Sequence, residues 1–111
     1  MAIHYRHELD RVFHALGDGK RRAMLGLVAR RGSCTAGELG EPFAISQPTT
    51  SKHLRVLESA GLVERRVEGR VHRFRLVPKR LTRAERWIVR HRSLWEGALE
   101  RLEAYLEGED E

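Results

Sequence analysis

Polar and basic side chains collect on one side of a short segment near the middle of the chain, residues 46–60. At about 100° per residue, Thr50, Leu54 and Leu57 share one helical face, which predicts that this face is buried. The opposite face carries small, hydroxyl and cationic side chains and no acid: Pro48, Ser51, Lys52, Arg55 and Ser59, with Thr49 at the edge and Gln47 at the N-terminal end. Hydroxyls and amides can contact base edges, and cations can contact phosphates. An ordinary amphipathic surface helix would show the same pattern, so this segment alone leaves both interpretations open.

The same segment has clear helix boundaries. Ser46 is a good N-cap residue, and Pro48 falls in the first turn, where its missing N–H costs nothing. Gly61 suits the left-handed residue that ends a helix.

Basic charge is concentrated in this segment and the residues that follow it. The 111 residues carry a net charge of +5. Residues 46–80 hold nine bases and three acids, a net of +6, whereas the remainder holds twelve bases and thirteen acids. A local surplus of this kind favours a polyanionic partner over a merely solvated basic surface.

The elements before this segment are predicted to be helical. Leu9, Val12, Phe13 and Leu16 have helical spacing, which predicts a first helix over 7–16. Asp18 can cap a second helix over 19–31, and Thr35 with Glu38 has capping-box spacing for a third over 35–41. Pro42 disfavours continuation of that third helix. A short helix, a turn and a longer helix with a polar outer face make a helix-turn-helix.

A β-hairpin and a long helix follow. Residues 62–77 contain two runs rich in β-branched residues around Glu68-Gly69-Arg70, which predicts a two-stranded wing with Gly69 and Arg70 at its tip. Residues 82–107 begin with a second capping-box spacing, Thr82 to Glu85, and carry an apolar seam. The seam consists of Ala84, Ile88, His91, Trp95, Ala98, Leu102 and Tyr105. A helix of roughly 37 Å is too long for one domain to cover easily, so we expect it to pair with a second copy with help from the first helix. The alternative is a helix folded wholly against its own domain.

The expected fold is a single domain, mainly α with a two-stranded β-wing. The sequence shows no secretory signal and no apolar run long enough to span a membrane. Cys34 is the single cysteine and cannot form an internal disulfide, which favours a reducing cytoplasm.

With these elements in order, the chain resembles the ArsR family of winged helix-turn-helix repressors. The resemblance is carried by Leu16-Gly17-Asp18 with Arg21-Arg22, by Glu41-Pro42-Phe43, and by Ser46-Gln47-Pro48 leading into Ser51-Lys52-His53-Leu54. The stretch from Leu57 to Val63 and the Trp95, Leu99, Leu102 seam also match. It implies a homodimer that binds a palindromic operator in duplex DNA, as a repressor of its own or a neighbouring operon.

The resemblance also implies roles for individual residues. Major-groove contacts are expected from Gln47, Thr49, Ser51 and Lys52, and a wing contact from Arg70. Phosphate contacts are expected from Arg21, Arg22 and Arg55. His53 is expected to pack or hydrogen-bond at the helix edge in preference to touching DNA.

Metal sensing and catalysis are not expected. Family members that sense metals carry a Cys-x-Cys pair where this chain has Thr35 and Gly37, and Cys34 lacks a thiol partner. His91 is expected to be an interface histidine, and His4 with His7 is a weak metal signal. No cofactor, no membrane partner and no enzyme activity are predicted, and the inducer stays unidentified. Two alternatives stay open: a winged-helix protein-interaction module, and a redox-responsive regulator in which Arg30 and Arg31 lower the pKa of Cys34.

Overall fold

The computed structural model describes the backbone of residues 2–110 and the side chains of residues 7–108. The elements in chain order are α1 (Ala2–Leu16), α2 (Gly19–Arg31), β1 (Cys34–Thr35), α3 (Ala36–Gly40), a 3-10 turn (Glu41–Phe43), α4 (Gln47–Ser59), β2 (Val63–Glu68), β3 (Val71–Leu76) and α5 (Lys79–Asp110). None of the described helices is long and apolar enough to cross a membrane.

One hydrophobic core joins the helices to the sheet. Its largest fully buried side chains come from α1, α2, β1, α3, α4, β3 and the loop after α4: Val12, Met24, Val28, Cys34, Leu39, Leu54, Leu57, Leu62 and Phe74. The inner face predicted for α4 is buried, since Thr50, Leu54 and Leu57 are each at most 3% exposed. The opposite face of α4 is therefore turned away from the core.

The entry to α4 is held by local hydrogen bonds. Thr35 caps α3 by accepting from the Glu38 N–H at 3.2 Å, and its hydroxyl donates to the Glu38 carboxylate at 3.1 Å. The chain then tightens into the 3-10 turn at Pro42, as predicted, and Ala44 takes a left-handed conformation with φ of 51°. Ser46 caps α4 by accepting from the Thr49 N–H at 3.3 Å. These hydrogen bonds define where α3 and α4 begin.

The sheet has three strands, one more than the sequence predicted. The strand order is β1-β3-β2, all antiparallel, with Cys34 opposite Phe74 and Thr35 opposite Arg73. The hairpin turn is Gly69-Arg70, and Gly69 has a φ of 64° that side chains rarely adopt. β1 was missed because two residues carry no periodic signal. Its pairing anchors the wing to the start of α3.

α5 starts earlier than predicted. It begins at Lys79, and Thr82 bonds back to the Pro78 carbonyl at 3.1 Å instead of capping a helix of its own. The helix has 32 residues and spans about 48 Å. α1 also extends further than predicted, starting at Ala2, and the two helices are tied by Glu8, whose carboxylate contacts Arg83 at 2.6 Å and Arg80 at 3.8 Å.

Aromatic packing continues the contact between α1 and α5. Phe13 meets the Trp87 ring edge-on at 5.7 Å, and Trp87 stacks on His91 at 4.3 Å. Beyond this row, the predicted seam is exposed: Ile88 is 39% exposed, Trp95 44%, Leu102 53% and Tyr105 64%, and Ala98 is exposed as well. His91 is half-buried, and its Nδ1 lies 2.7 Å from the Trp87 carbonyl. Within one copy of the chain, the large apolar side chains in the C-terminal half of α5 are exposed.

Close packing between α3 and α4 depends on Gly40. A Cβ atom at Gly40 would overlap the Thr50 hydroxyl, which itself donates to the Ser46 carbonyl at 3.1 Å. We expect Gly40→Ala to lower the free energy of unfolding by about 1–3 kcal/mol, measured by urea denaturation. Gly37→Ala is the matched control, since the nearest atom to its new Cβ is 4.0 Å away. Equal stabilities for the two variants would contradict the packing.

Candidate nucleic-acid interface

The outer face of α4, defined here as Gln47, Thr49, Ser51, Lys52 and Arg55, points away from the core. Gln47, Thr49, Lys52 and Arg55 are exposed and Ser51 is half-buried. Lys52 and Arg55 make no hydrogen bond or ion pair with any side chain that the structure describes. Their charges are therefore available to a partner.

Thr49 is oriented by the helix cap. The Ser46 hydroxyl donates to Thr49 Oγ1 at 2.9 Å, so the Thr49 hydroxyl acts as an acceptor within the protein. Its own O–H proton is left over for an outside acceptor. Together with the amide of Gln47, this gives the N-terminal end of the outer face both a donor and an acceptor.

Arg65 connects α4 to the wing through a contact the sequence did not predict. Its guanidinium donates twice to the Glu58 carboxylate, from Nη2 at 2.5 Å and from Nε at 3.2 Å. Its third nitrogen lies 3.1 Å from His72 Nδ1, which must accept because a guanidinium can only donate. The guanidinium carbon also lies 5.1 Å from the centre of the Phe74 ring. One side chain therefore holds α4, β2 and β3 in a fixed arrangement.

This arrangement leaves a cleft of about 360 Å³ between the start of α4 and the wing. Gln47 and Ser51 line one side of it, and Arg70 and His72 line the other. Arg70, at the hairpin turn, is exposed and has no ion pair with a described side chain. The structure thus brings the predicted wing residue and two predicted base-reading residues to the same cleft.

Like charges face each other on the opposite surface of the wing. Arg66 and Arg73 are directly paired across β2 and β3. Two like charges directly opposite each other are unfavourable in the absence of a counter-charge. The Glu68 carboxylate lies 3.8 Å from the Arg73 guanidinium and offsets part of this repulsion. A bound anion would relieve this repulsion further.

Arg21 and Arg22 have structural partners that the sequence did not reveal. The Arg21 guanidinium donates to the Ala15 and His14 carbonyls at 2.8 and 3.0 Å, and Arg22 donates to the Leu16 carbonyl at 2.6 Å. The last carbonyls of a helix lack partners within the helix, which explains this use of the cations. Both side chains thus close the C-terminus of α1, and their phosphate contacts stay a prediction.

His53 lies on the side of α4 that faces α2, as expected for a residue at the helix edge. Its ring Nδ1 is 3.8 Å from the Asp18 carboxylate, which caps α2 by accepting from the Arg21 N–H at 3.0 Å. That backbone hydrogen bond is the main cause of a lowered pKa at Asp18, with further contributions from the charges of Arg21 and His53. Because the pKa of Asp18 is lower in the folded protein than in the unfolded chain, the ionised cap stabilises the fold at any pH above the ordinary pKa of an aspartate. This stabilisation is lost as the pH falls through the lowered pKa.

Cys34 does not have the environment of a reactive thiol. It is fully buried at the start of the sheet, and burial raises its pKa. The Glu38 charge raises it further, and Arg31, which pairs with Glu38 at 3.8 Å, opposes this only in part. The predicted lowering of the pKa by nearby arginines is therefore wrong, because burial outweighs the cation.

Metal-binding side chains are dispersed in the described part of the molecule. Among residues 7–108, no group of three or more His, Cys, Asp or Glu side chains is placed to hold a metal ion. The side chain of His4, in the weak His4–His7 pair, lies outside the described residues.

The helices α1 and α2, the helix-turn-helix of α3 and α4, and the wing of β2 and β3 together define the chain as a winged helix-turn-helix protein. A family model described as a helix-turn-helix domain matches residues 16–66. A crystal structure of an ArsR family transcriptional regulator superposes with a TM-score of 0.75 and 35% identity, over 82% of this chain and 93% of that one. The homodimeric winged helix-turn-helix DNA-binding domain Mb0332 from Mycobacterium bovis superposes with a TM-score of 0.61 and 27% identity, over 86% of this chain and 84% of that one.

Curated relatives point to the same group. The transcriptional repressor SdpR of Bacillus subtilis is 32% identical over 73% of this chain and 89% of its own length. The HTH-type transcriptional regulator Rv2034 of Mycobacterium tuberculosis is 41% identical over 62% of this chain, and the match spans 64% of that protein's length. The chain belongs to the ArsR family of transcriptional regulators.

The burial of Cys34 makes a direct prediction about thiol chemistry. We expect the native protein to react with Ellman's reagent about 100-fold more slowly than the protein in guanidinium chloride, because the thiolate is disfavoured and inaccessible. The absorbance of the released thiolate measures both rates, with Cys34→Ala as the blank. Similar rates in the two conditions would contradict this and support a redox role.

Proposed function

We propose that the protein is a sequence-specific DNA-binding transcriptional regulator that acts as a homodimeric repressor. The observation that supports this most strongly is the outer face of α4, where Lys52 and Arg55 are exposed without partners among the described side chains. The inner face of the same helix is locked into the core. A rigid helix with free cations and hydroxyls on its outer side suits the major groove of B-DNA.

The division of roles within the interface follows from position and chemistry. Gln47, Thr49 and Ser51 lie at the N-terminal half of α4 and offer amide and hydroxyl groups for base edges, with Lys52 beside them. Arg55, one turn further along, is a phosphate contact, and Arg70 at the wing tip enters the neighbouring groove.

The homodimer accounts for the exposed seam on α5. Ile88, Trp95, Leu102 and Tyr105 are between 39% and 64% exposed in one copy. Pairing with a second copy around a two-fold axis would bury them and place two α4 helices side by side. The Mb0332 domain of Mycobacterium bovis is homodimeric, and SdpR is a transcriptional repressor. A two-fold dimer would match a palindromic operator.

This function requires no catalytic step, and it is exerted in the cytoplasm, where the chromosome lies. The buried Cys34 argues against the redox alternative. The cations of α4, which have no partner among the described side chains, argue against a pure protein-interaction module, because such modules often lose the basic recognition face.

Removal of the free cations tests the docking face. We expect Lys52→Ala and Arg55→Ala each to weaken operator binding roughly tenfold. Each should also make the negative slope of log K against log salt shallower by about two units per dimer. Fluorescence anisotropy at several salt concentrations measures both quantities. Arg101→Ala removes the same charge on α5 and should leave binding unchanged. Parent-like affinity for both α4 variants would overturn the proposed face.

Charge placed in the seam tests the dimer. Leu102→Lys should weaken self-association tenfold or more, because an ammonium group would be buried in the apolar interface. Glu100→Lys, two residues away and off the seam, is the matched control and should remain dimeric. Sedimentation equilibrium measures the association constant. A parent-like dimer for Leu102→Lys would show that the seam faces something else.

A further inference from the structure

The outer face of α4 is bordered by clefts on both of its sides. The first is the wing cleft described above, lined on the helix by Gln47 and Ser51. The second has a volume of about 580 Å³ and lies between α4 and α1. Lys52, Arg55, Val56, Ser59 and Ala60 line it on the α4 side, and Asp10, Arg11 and His14 line it on the α1 side.

Helical geometry places the two clefts on different sides of α4. At about 100° per residue, Gln47 and Ser51 lie on one side of the ridge formed by Arg55 and Ser59. Val56 lies on the other side, with Lys52 between it and the ridge. The residues that the proposed function turns toward DNA therefore line both clefts: Gln47 and Ser51 line the wing cleft, and Lys52 and Arg55 line the α1–α4 cleft.

The second cleft carries free positive charge. Arg11, Lys52 and Arg55 are exposed and make no ion pair with a described side chain. Other cations of the molecule, such as Arg21, Arg22 and Arg65, have protein partners. His14 adds an exposed hydrogen-bond donor, and Asp10 is the one acid among the described residues that line the cleft.

B-DNA supplies an occupant of complementary charge. A helix in the major groove has one phosphodiester strand on each side, and the groove is about 12 Å wide. We propose that the α1–α4 cleft holds one of these two strands, with Arg11 and His14 as phosphate contacts that belong to α1. This rests on the proposed function and extends the DNA surface beyond the helix-turn-helix and the wing.

The apolar floor of the α1–α4 cleft is compatible with this occupant. Among its lining residues Val56 is half-buried and Ala60 is buried, whereas Arg11, Lys52 and Arg55 are exposed. A deoxyribose can lie against apolar atoms while its phosphate contacts the rim. Asp10 opposes a phosphate by charge, so it should reduce affinity in the natural sequence.

Two variants of α1 test the proposal with opposite signs. Arg11→Ala should weaken operator binding roughly tenfold. It should also make the negative slope of log K against log salt shallower by about two units per dimer, because one phosphate contact is lost from each copy. Asp10→Asn should tighten binding severalfold, a gain that misfolding cannot imitate. Both are measured by fluorescence anisotropy with a duplex selected by the parent protein from a random library, with Arg101→Ala as the charge control and circular dichroism as the check of folding.

Each other occupant gives a distinct result. If the cleft is covered by the second copy, Arg11→Ala changes the dimerisation constant and leaves the salt slope unchanged, which overturns the proposal. If it holds a small organic anion, operator binding by purified protein is the same for parent, Arg11→Ala and Asp10→Asn, which also overturns it. In both cases Lys52→Ala still weakens binding, so the proposed function survives. If the parent shows no salt-dependent preference for any duplex, the proposed function fails as well.

Discussion

The packing of the inner face of α4 determines how its polar outer face is oriented toward a partner. Thr50, Leu54 and Leu57 are buried against the core, and Gly40 lets α3 approach the Thr50 side chain closely. A helix with one face fixed in this way has no freedom to rotate about its axis. The polar outer face is consequently presented in one orientation, and the Glu58–Arg65 contact sets the wing relative to it. Binding then requires little ordering of the protein, which favours affinity.

The cations of this chain divide into two groups that net charge does not distinguish. Arg21 and Arg22 close α1, Arg65 links α4 to the wing, and Arg80 with Arg83 joins α5 to α1. The second group, which includes Arg11, Lys52, Arg55 and Arg70, has no partner among the described side chains. Only the second group can neutralise phosphates without first breaking a protein contact. Within residues 46–80, Arg65, Arg73 and Arg80 pair with carboxylates, which leaves six of the nine bases without an ion pair to a described side chain.

Sequence predicted the features that depend on neighbouring residues. The cap at Ser46, the interruption at Pro42, the turn at Gly69 and the buried face of α4 each follow from local physics, and each is present. The features it missed depend on residues distant in the chain. β1 forms because Cys34 pairs with Phe74 in β3. The Arg22 guanidinium donates a hydrogen bond to the Leu16 carbonyl at the end of the preceding helix. The sequence predicted Thr82 as a helix cap, but α5 begins at Lys79, directly after Pro78. Thr82 therefore lies inside the helix and donates to the Pro78 carbonyl. The buried thiol of Cys34 likewise depends on the fold as a whole.

The central claim is that two copies of α4, related by a two-fold axis through the α5 seam, contact DNA together. Selection of bound sequences from a random duplex library, followed by hydroxyl-radical footprinting on the enriched site, tests it most directly. We expect a palindrome whose half-sites are separated by about 10–10.5 base pairs or a multiple of that, with protection of both strands around each half-site. A single unrepeated site, or no enrichment over the starting library, would contradict it.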